Sequence, residues 1–398
     1  MTMINRVPIV NQYIEQLKKQ GAIQTSQIES AFRQVPRHLL IEKIYSGRYD
    51  QPDILEIDPL NEEHLAMIYS DRALSIQWYP EPSSSSQPSL VAQMLELLTL
   101  KSGMRVLEIG AGSGYNAALM AELVSDPSLI TTIDLNERLI STTKKQLANA
   151  GYEQINIYAQ DGFDGFKANA PYDCIVATVG CADLSPYWFE QLSSDGFLLI
   201  PLSHGSIVQC PLTQIKKNDN GGTGKIVQYS NFMPIRGDQF SQNLWAFSTE
   251  EEEGRFVSHL QTTEVNAEYP LFHGLKDFPN HASGLPEAWT GRVEFHYFVA
   301  LHRQDTLTCG KGLGLGGHSN CVIMGHDKIL LYGDNSEILY QELEQIYQQW
   351  ISLGKPQMND YELEFMPLST STNEQKLNLE PNTWVIDRKF FRQIVRLL

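Results

Sequence analysis

Val106-Leu107-Glu108-Ile109-Gly110-Ala111-Gly112-Ser113-Gly114-Tyr115 is an apolar strand pattern that runs into a glycine-rich turn, and Asn116 to Val124 then carries a helical pattern. Glycines at such a turn let the backbone bend tightly and approach a ligand closely. Two ligand classes compete for a loop of this kind. A dinucleotide fingerprint reads G-x-G-x-x-G and offers amides and a helix N-terminus to a pyrophosphate. Here the spacing is G-x-G-x-G, and Glu108 stands two residues before Gly110. A carboxylate there disfavours a pyrophosphate and suits a ligand bearing an ammonium and a sulfonium, a description that S-adenosyl-L-methionine fits.

Outward from this turn the chain alternates. Arg105–Ile109, Ile130–Asp134, Ile155–Ala159, Cys174–Thr178 and Phe197–Pro201 are short apolar strand candidates, with helix-like segments between them. That alternation predicts βαβ units in a mostly parallel, doubly wound, Rossmann-like α/β sheet with its ligand at the carboxyl ends of the strands. Asp134 ends the second strand, where an acidic residue accepts hydrogen bonds from ribose hydroxyls, and Asp161-Gly162 follows the third, placed for an adenine amino group. Each has a plainer reading. A lone glycine-rich turn is often structural, and an aspartate after a strand is often a helix cap. Their order and their places at successive strand ends favour the cofactor.

Before the turn, Ile9–Gln20 spaces Tyr13, Ile14 and Leu17 on one helical face, and Gly21 stops it. A second helix is expected over Ser26–Gln34, ended by Pro36. Tyr79–Pro88, with Pro80, Pro82, four serines and Pro88, reads as a loop without a regular core face. Ser89–Leu100 reads as a helix with a buried face. The pattern changes around Gly237, so two domains are expected, 1–237 and 238–398. In the second, Glu250–Glu253 reads as a solvated charge run. Val293–Leu301, Cys321–Met324 and Ile329–Tyr332 read as strands and Ser336–Leu353 as an amphipathic helix, which makes an α+β domain.

Composition narrows the partners. With 42% hydrophobic and 19% charged residues the chain is of globular type. A formal net charge of −17 repels a phosphate backbone, so nucleic acid is not expected. No apolar run reaches the ~20 residues of a bilayer span, and Met1 to Lys18 lacks a signal-peptide core. A cytoplasmic protein without membrane association is expected, and nothing in the pattern fixes its oligomeric state. The five scattered cysteines suit reduced thiols.

Several motifs in order resemble the protein-L-isoaspartate O-methyltransferase family over about residues 10–237. They are Val35-Pro36-Arg37-His38, Tyr69-Ser70-Asp71-Arg72-Ala73-Leu74, Ser86-Gln87-Pro88, the glycine turn, Asp161-Gly162, Pro171-Tyr172-Asp173 and Leu199-Ile200-Pro201-Leu202. The resemblance implies a Rossmann-like class I methyltransferase α/β fold in which Glu108, Gly110, Gly112 and Gly114 hold the cofactor, with Asp134 on its ribose and Asp161 and Gly162 near its adenine. It implies that Ser86 is catalytic, touching the substrate carboxylate beside the transferred methyl, with Ser84 and Ser85 on the same substrate approach. Read by itself, Ser86 is equally a turn residue or the N-cap of the next helix. Arg37 and His38 read as fold-stabilising residues at a helix end.

Two departures stand out. Trp78-Tyr79-Pro80-Glu81-Pro82 and the run Ser83 to Ser86 replace the family's usual Gly-Gln-Thr-Ile-Ser approach, and residues 238–398 lie beyond its ordinary length. Extended forms resemble the methyltransferases that accompany ATP-grasp enzymes in ribosomal peptide tailoring, to which Trp384–Phe391 is similar. The expected activity is therefore carboxyl O-methylation of aspartyl or isoaspartyl residues in a polypeptide substrate, leading through the ester to a succinimide. Tailoring of a precursor peptide is favoured, and repair of damaged protein is the alternative. The C-terminal domain is expected to help bind the peptide. An adaptor that binds the cofactor without methyl transfer is the reading from a different class. Cys309–His318 lacks the G-K-[ST] ending of a phosphate-binding loop. Cys309, His318, Cys321 and His326 lack the close C-x-x-C spacing of a zinc site, so no metal is expected.

Overall fold

The structure, a computed structural model, describes residues 6–48, 51–79, 81–205, 209–237, 239, 266–272, 293–309, 312–317, 320–325, 328–368 and 380–398. Pro80, the run Glu250–Glu253, Gly310, Lys311, His318 and His326 lie outside them. The chain divides into two compact units, Met1–Thr178 with Tyr187–Leu199, and Val179–Pro186 with Ile200–Leu398.

In the first unit, helix α1 (Val7–Lys19) buries Tyr13, Ile14 and Leu17 as its spacing predicts. Thr25 caps α2 (Ser26–Gln34) by accepting from the Ile28 amide, and extended Val35 before Pro36 ends it. A hairpin of β1 (Lys43–Arg48) and β2 (Gln51–Glu56) follows, then α3 (Glu62–Ile68). Next, β3 (Leu74–Gln77) pairs antiparallel with β4 (Ser83–Ser85). The serine run is thus partly a strand and not a loop without a core face. Period-2 geometry turns Ser83 and Ser85 inward, where both are buried. Helix α4 (Pro88–Leu98) opens on Pro88 and on the Ser89 amide, which donates to Asp71 Oδ1 at 2.8 Å.

The expected parallel strands form: β5 (Val106–Ile109), β6 (Ile130–Asp134), β7 (Asn156–Ala159), β8 (Tyr172–Ala177) and β9 (Leu192–Pro201), in the spatial order β9-β8-β5-β6-β7. The central strands β5, β6 and β8 are buried along nearly their whole length, as strands covered on both faces are, while edge strand β7 exposes Tyr158 and Ala159. Helices α5 (Tyr115–Val124), α6 (Glu137–Asn149) and the short α7 (Pro186–Gln191) connect them. The register pairs Ile109 with both Ile133 and Ala177, and Asp134 with Ala159. Gly110, Asp134, Gln160 and Thr178 therefore leave the sheet at one edge.

In the second unit, β10 (Gln209–Asn218) and β11 (Gly221–Asn231) form a hairpin, and β11 is followed in antiparallel order by β17 (Tyr361–Pro367), β19 (Phe391–Leu397) and β18 (Thr383–Asp387). A second antiparallel sheet runs β12 (Ala267–Pro270), β16 (Lys328–Tyr332), β15 (Cys321–Met324), β14 (Gly312–Gly316) and β13 (Thr306–Cys309). Phe295, Phe298, Val322, Leu331, Leu343 and Trp350 belong to its core, contributed by these strands and by the helices Val293–His302 and Ser336–Ser352. The unit is α+β, as expected. Val293–Leu301, expected as a strand, is helical. Every residue of that run is buried, and an apolar run without a polar face cannot be assigned to helix or strand by periodicity. The glycine-rich stretch after Asp305 belongs to the antiparallel β13–β14 pair, not to a strand feeding a helix.

Arg37, wholly buried, gathers the segments around the serine strand. Its Nη1 donates to the Ile68 and Ser70 carbonyls at 2.7 and 3.1 Å. Its Nη2 lies 3.4–3.5 Å from Arg72 O, Ser86 O and Ser85 Oγ. Replacing Arg37 by leucine strips these acceptors of their buried donor. The Arg37→Leu protein is expected to lose about 3–5 kcal/mol of stability, read as a lowered denaturation midpoint at unchanged m-value.

Candidate functional site

The turn after β5 is built for a close backbone approach. Gly110, Gly112 and Gly114 have φ of 104°, 49° and 75°. A Cβ on Gly112 would meet the Ser84 carbonyl oxygen at 3.1 Å, and one on Gly114 would meet Thr143 Cγ2 at 2.9 Å. Side chains at these positions would push the turn away from the serine strand and from α6. The turn is also tied down. The amides of Gly110 and Ala111 donate to Ile133 O, Thr143 Oγ1 donates to Gly112 O at 2.7 Å, and Thr178 Oγ1 donates to Gly110 O at 2.7 Å.

Glu108 lies beneath the turn and is 1% exposed. Thr132 Oγ1 donates to its Oε2 at 2.6 Å and Asn116 Nδ2 to its Oε1 at 2.7 Å. Burial pushes this carboxyl from an ordinary value near 4.5 up to about 7, against the lowering effect of those two donors. Both its oxygens thus accept from the protein, linking β5 to β6 and to the first turn of α5. Asp134 ends β6 at the same edge, and its Oδ1 accepts from the Asn136 amide at 3.1 Å. Asp161 Oδ1 accepts from the Phe163 amide at 2.9 Å, capping the short helical turn Gly162–Asp164. Buried Gly162 presents its carbonyl to Trp188 Nε1 at 2.8 Å.

On the other side of the turn, Ser84 has its carbonyl against Gly112. Ser85 is buried on Arg37, and partly buried Ser86 has its carbonyl near the same guanidinium. Gln87 Nε2 donates to Asp71 Oδ2 at 3.3 Å, so Asp71 holds both ends of the step from the serines into α4. His38, beside Arg37, sits between Arg6 and Tyr69 OH at 2.8 and 2.7 Å. Burial and the Arg6 charge lower its pKa to about 4, so it stays neutral.

The fold thus brings Ser84 to the glycine turn and sets Glu108, Gly110, Gly112, Gly114 and Asp134 at the end of adjoining strands. Sequence reading passed over the residues that brace them: Thr132, Asn116, Thr143, Thr178 and Trp188. Only Thr132 carried a signal, as a polar residue inside an apolar strand. The arrangement fits a cationic nucleoside. Bare backbone at Gly112 admits the Ser84 carbonyl closely, the acidic groups at the sheet edge accept from hydroxyl or amino groups, and carboxylates suit a sulfonium and an ammonium. Among the described residues no cluster of His, Cys, Asp or Glu is arranged to hold a metal ion, and no helix is long and apolar enough to cross a membrane.

Residues 9–239 match the family described as protein-L-isoaspartate(D-aspartate) O-methyltransferase. A protein-L-isoaspartate O-methyltransferase of Pyrococcus horikoshii is 34% identical over 227 residues, which cover 56% of this chain and 91% of that protein. One from Thermococcus sibiricus is 35% identical over 228 residues, covering 56% and 92%. A solved protein-L-isoaspartate O-methyltransferase structure is similar with a TM-score of 0.53 at 26% identity, covering 89% of this chain and 95% of that one.

The Glu108 carboxyl makes the stability of the first unit pH-dependent. The folded protein keeps this proton up to about pH 7, while the unfolded chain releases it near 4.5. Its contribution is therefore full below about pH 4.5 and is lost as pH rises through about 7. Glu108→Gln keeps an acceptor for Asn116 and lacks the titration. Relative to this variant, wild type is expected to lose on the order of 3 kcal/mol across that window, measured by denaturant titration at a series of pH values.

Proposed function

The chain belongs to the protein-L-isoaspartate(D-aspartate) O-methyltransferase family, and on that premise we propose that it methylates the side-chain carboxylate of isoaspartyl residues in polypeptides, with S-adenosyl-L-methionine as methyl donor. The observation that carries this reading is the approach of the serine strand to the glycine turn, with Ser84 O facing the site where Gly112 lacks a Cβ. In this reading Gly110, Gly112 and Gly114 hold the donor, Asp134 meets its ribose, and Asp161 and Gly162 border its adenine. Glu108 braces the turn, and a cation above it draws its carboxyl, raised to about 7 by burial, toward the charged form.

The donor, when bound, supplies an electrophilic methyl group on a sulfonium. The chain's residues supply position. A carboxylate is already ionised near neutral pH, so no general base is required. Ser86 orients that carboxylate through its hydroxyl, ~3 Å being the approach that positioning catalysis requires. Arg37, which reaches both Ser85 Oγ and Ser86 O, sets the direction of the serine segment. In the product ester, the following backbone nitrogen attacks the ester carbonyl, methanol leaves, and a succinimide closes. Water then opens the ring to aspartate or isoaspartate.

Repair of isoaspartyl damage is the version we favour. A solved protein-L-isoaspartate O-methyltransferase covers 89% of this chain, so its likeness extends past residue 239, which supports reading the C-terminal unit as part of such an enzyme. Tailoring of a precursor peptide at an aspartyl residue is supported by the serine run that replaces the family's usual approach. In either version the C-terminal unit, including residues 238–398, helps to bind the polypeptide.

Mass spectrometry of an isoaspartyl peptide and its aspartyl counterpart, each incubated with protein and S-adenosyl-L-methionine, separates these readings. Gain of a methyl group or loss of water on the isoaspartyl peptide alone is the expected outcome. The same change on the aspartyl peptide establishes tailoring. Ser86→Ala is expected to lower kcat about 100-fold with cofactor affinity retained. No turnover by wild type on either peptide, with cofactor bound, favours the adaptor.

A further inference from the structure

The segment Val179–Pro186 follows β8, yet it belongs to the second compact unit, while the residues on both sides of it belong to the first. Its backbone is held there from Gly180 to Ala182, and the Asp183 side chain adds a further hold. The Gly180 amide donates to Met233 O and its carbonyl accepts from the Ile235 amide, each at 2.8 Å. The Cys181 amide donates to Pro201 O at 2.7 Å, and its carbonyl accepts from the Ser203 amide and hydroxyl at 2.8 and 3.0 Å. Arg388, in the turn between β18 and β19, completes the hold. Its Nη1 donates to Ala182 O at 2.6 Å and to Ser203 O at 2.9 Å. Two residues on, the Phe390 amide donates to Asp183 Oδ2 at 2.6 Å. Gln393 Oε1 accepts from Arg388 Nη2 at 2.7 Å, and His204 Nε2 lies 3.2 Å from the same nitrogen, so the fork is braced from its far side. Asp183 and His204 are 2% and 1% exposed and Gln393 is wholly buried, which makes the cluster costly to rearrange.

What flanks this segment gives it significance. Thr178, immediately before it, holds the Gly110 carbonyl through Oγ1 and that of Ile109 through its amide. Trp188, two residues after it, holds the Gly162 carbonyl through its indole nitrogen. Tyr187 stacks edge-on against Phe163 with ring centroids 5.5 Å apart. The residues that flank the clasped segment therefore grip Gly110 and Gly162, two of the four glycines of the cofactor reading. Only Val179 separates Thr178 from the held residues Gly180–Asp183, and four residues separate Trp188 from them, so slack in the hold is passed by covalent connection to Thr178 first and to Trp188 after it.

We infer that Arg388 is a positioning residue for cofactor binding: by fixing Ala182 and Ser203 it tensions Val179–Pro186, whose ends hold the Gly110 turn and Gly162. The C-terminal unit is thereby part of what shapes the affinity for the nucleoside, apart from any role toward a polypeptide. This rests on the cofactor reading proposed above. A lysine keeps the charge but has one nitrogen, whereas in Arg388 Nη1 serves both carbonyls while Nη2 is held by Gln393 and His204.

The test uses the full chain and two readouts. Hydrogen exchange of the cofactor-free protein reports the Gly180 and Cys181 amides, and calorimetry reports the Kd for S-adenosylhomocysteine. Arg388→Lys is expected to raise exchange in residues 179–186 and to weaken binding about tenfold. Leu343→Ala, in the core of the second unit and away from this cluster, is expected to change neither at temperatures where it is folded. Asp183→Ala removes the tether to Phe390 together with a charge that favours the Arg388 guanidinium, and is expected to reproduce both effects, so it decides the matter if Arg388→Lys does not fold. Unchanged exchange, or raised exchange with unchanged Kd, overturns the inference while leaving the cofactor reading intact. Failure of wild type to bind S-adenosylhomocysteine overturns both.

Discussion

The buried guanidinium of Arg37 is the interaction on which the amino-terminal architecture depends. A charge removed from water must find acceptors, and here they are carbonyls of the segment 68–72 and polar atoms of Ser85 and Ser86. Its position 5.3 Å from the Tyr115 ring centroid adds a cation–π contact with the first residue of α5. One side chain thereby fixes the serine strand and touches the helix that the glycine turn begins. The close approach of Ser84 O to Gly112 follows from that arrangement.

The electrostatics of the turn are those of a buried acid held by neutral donors. Glu108 has no ion-pair partner among the described residues, and Thr132 and Asn116 compensate its burial only in part, which is why its pKa stays near neutrality. A cationic ligand above the turn would favour the charged form and recover some of that cost. The group thus has a structural task, joining β5, β6 and α5, and an electrostatic one that a ligand completes.

The threading of the chain between the two units sets this protein apart from a simple domain with an appended tail. Val179–Pro186 and the β10–β11 hairpin lie inside the family-matched residues 9–239, yet they cluster with the C-terminal strands. Strand β11 pairs with β17, so residues widely separated in sequence complete one sheet. An extension bonded in this manner cannot be treated as detachable.

The sequence by itself determined the parallel α/β unit, because strands covered on both faces must be apolar throughout and the glycine turn between β5 and α5 has a recognisable spacing. It also determined the order Glu108, Gly110, Asp134, Asp161 along successive strand ends, since register in a parallel sheet follows from the repeat of strand and helix. Only the tertiary structure decided that Ser83–Ser85 is a strand, because a serine run has no hydrophobic period and its inward side is defined by Arg37. The same holds for Val293–His302, where burial on all sides erases the amphipathic pattern that separates helix from strand. The roles of Thr143, Thr178, Trp188 and Arg388 were likewise hidden, because each acts by a hydrogen bond to a backbone carbonyl distant in sequence, and a carbonyl leaves no trace in the identity of its residue.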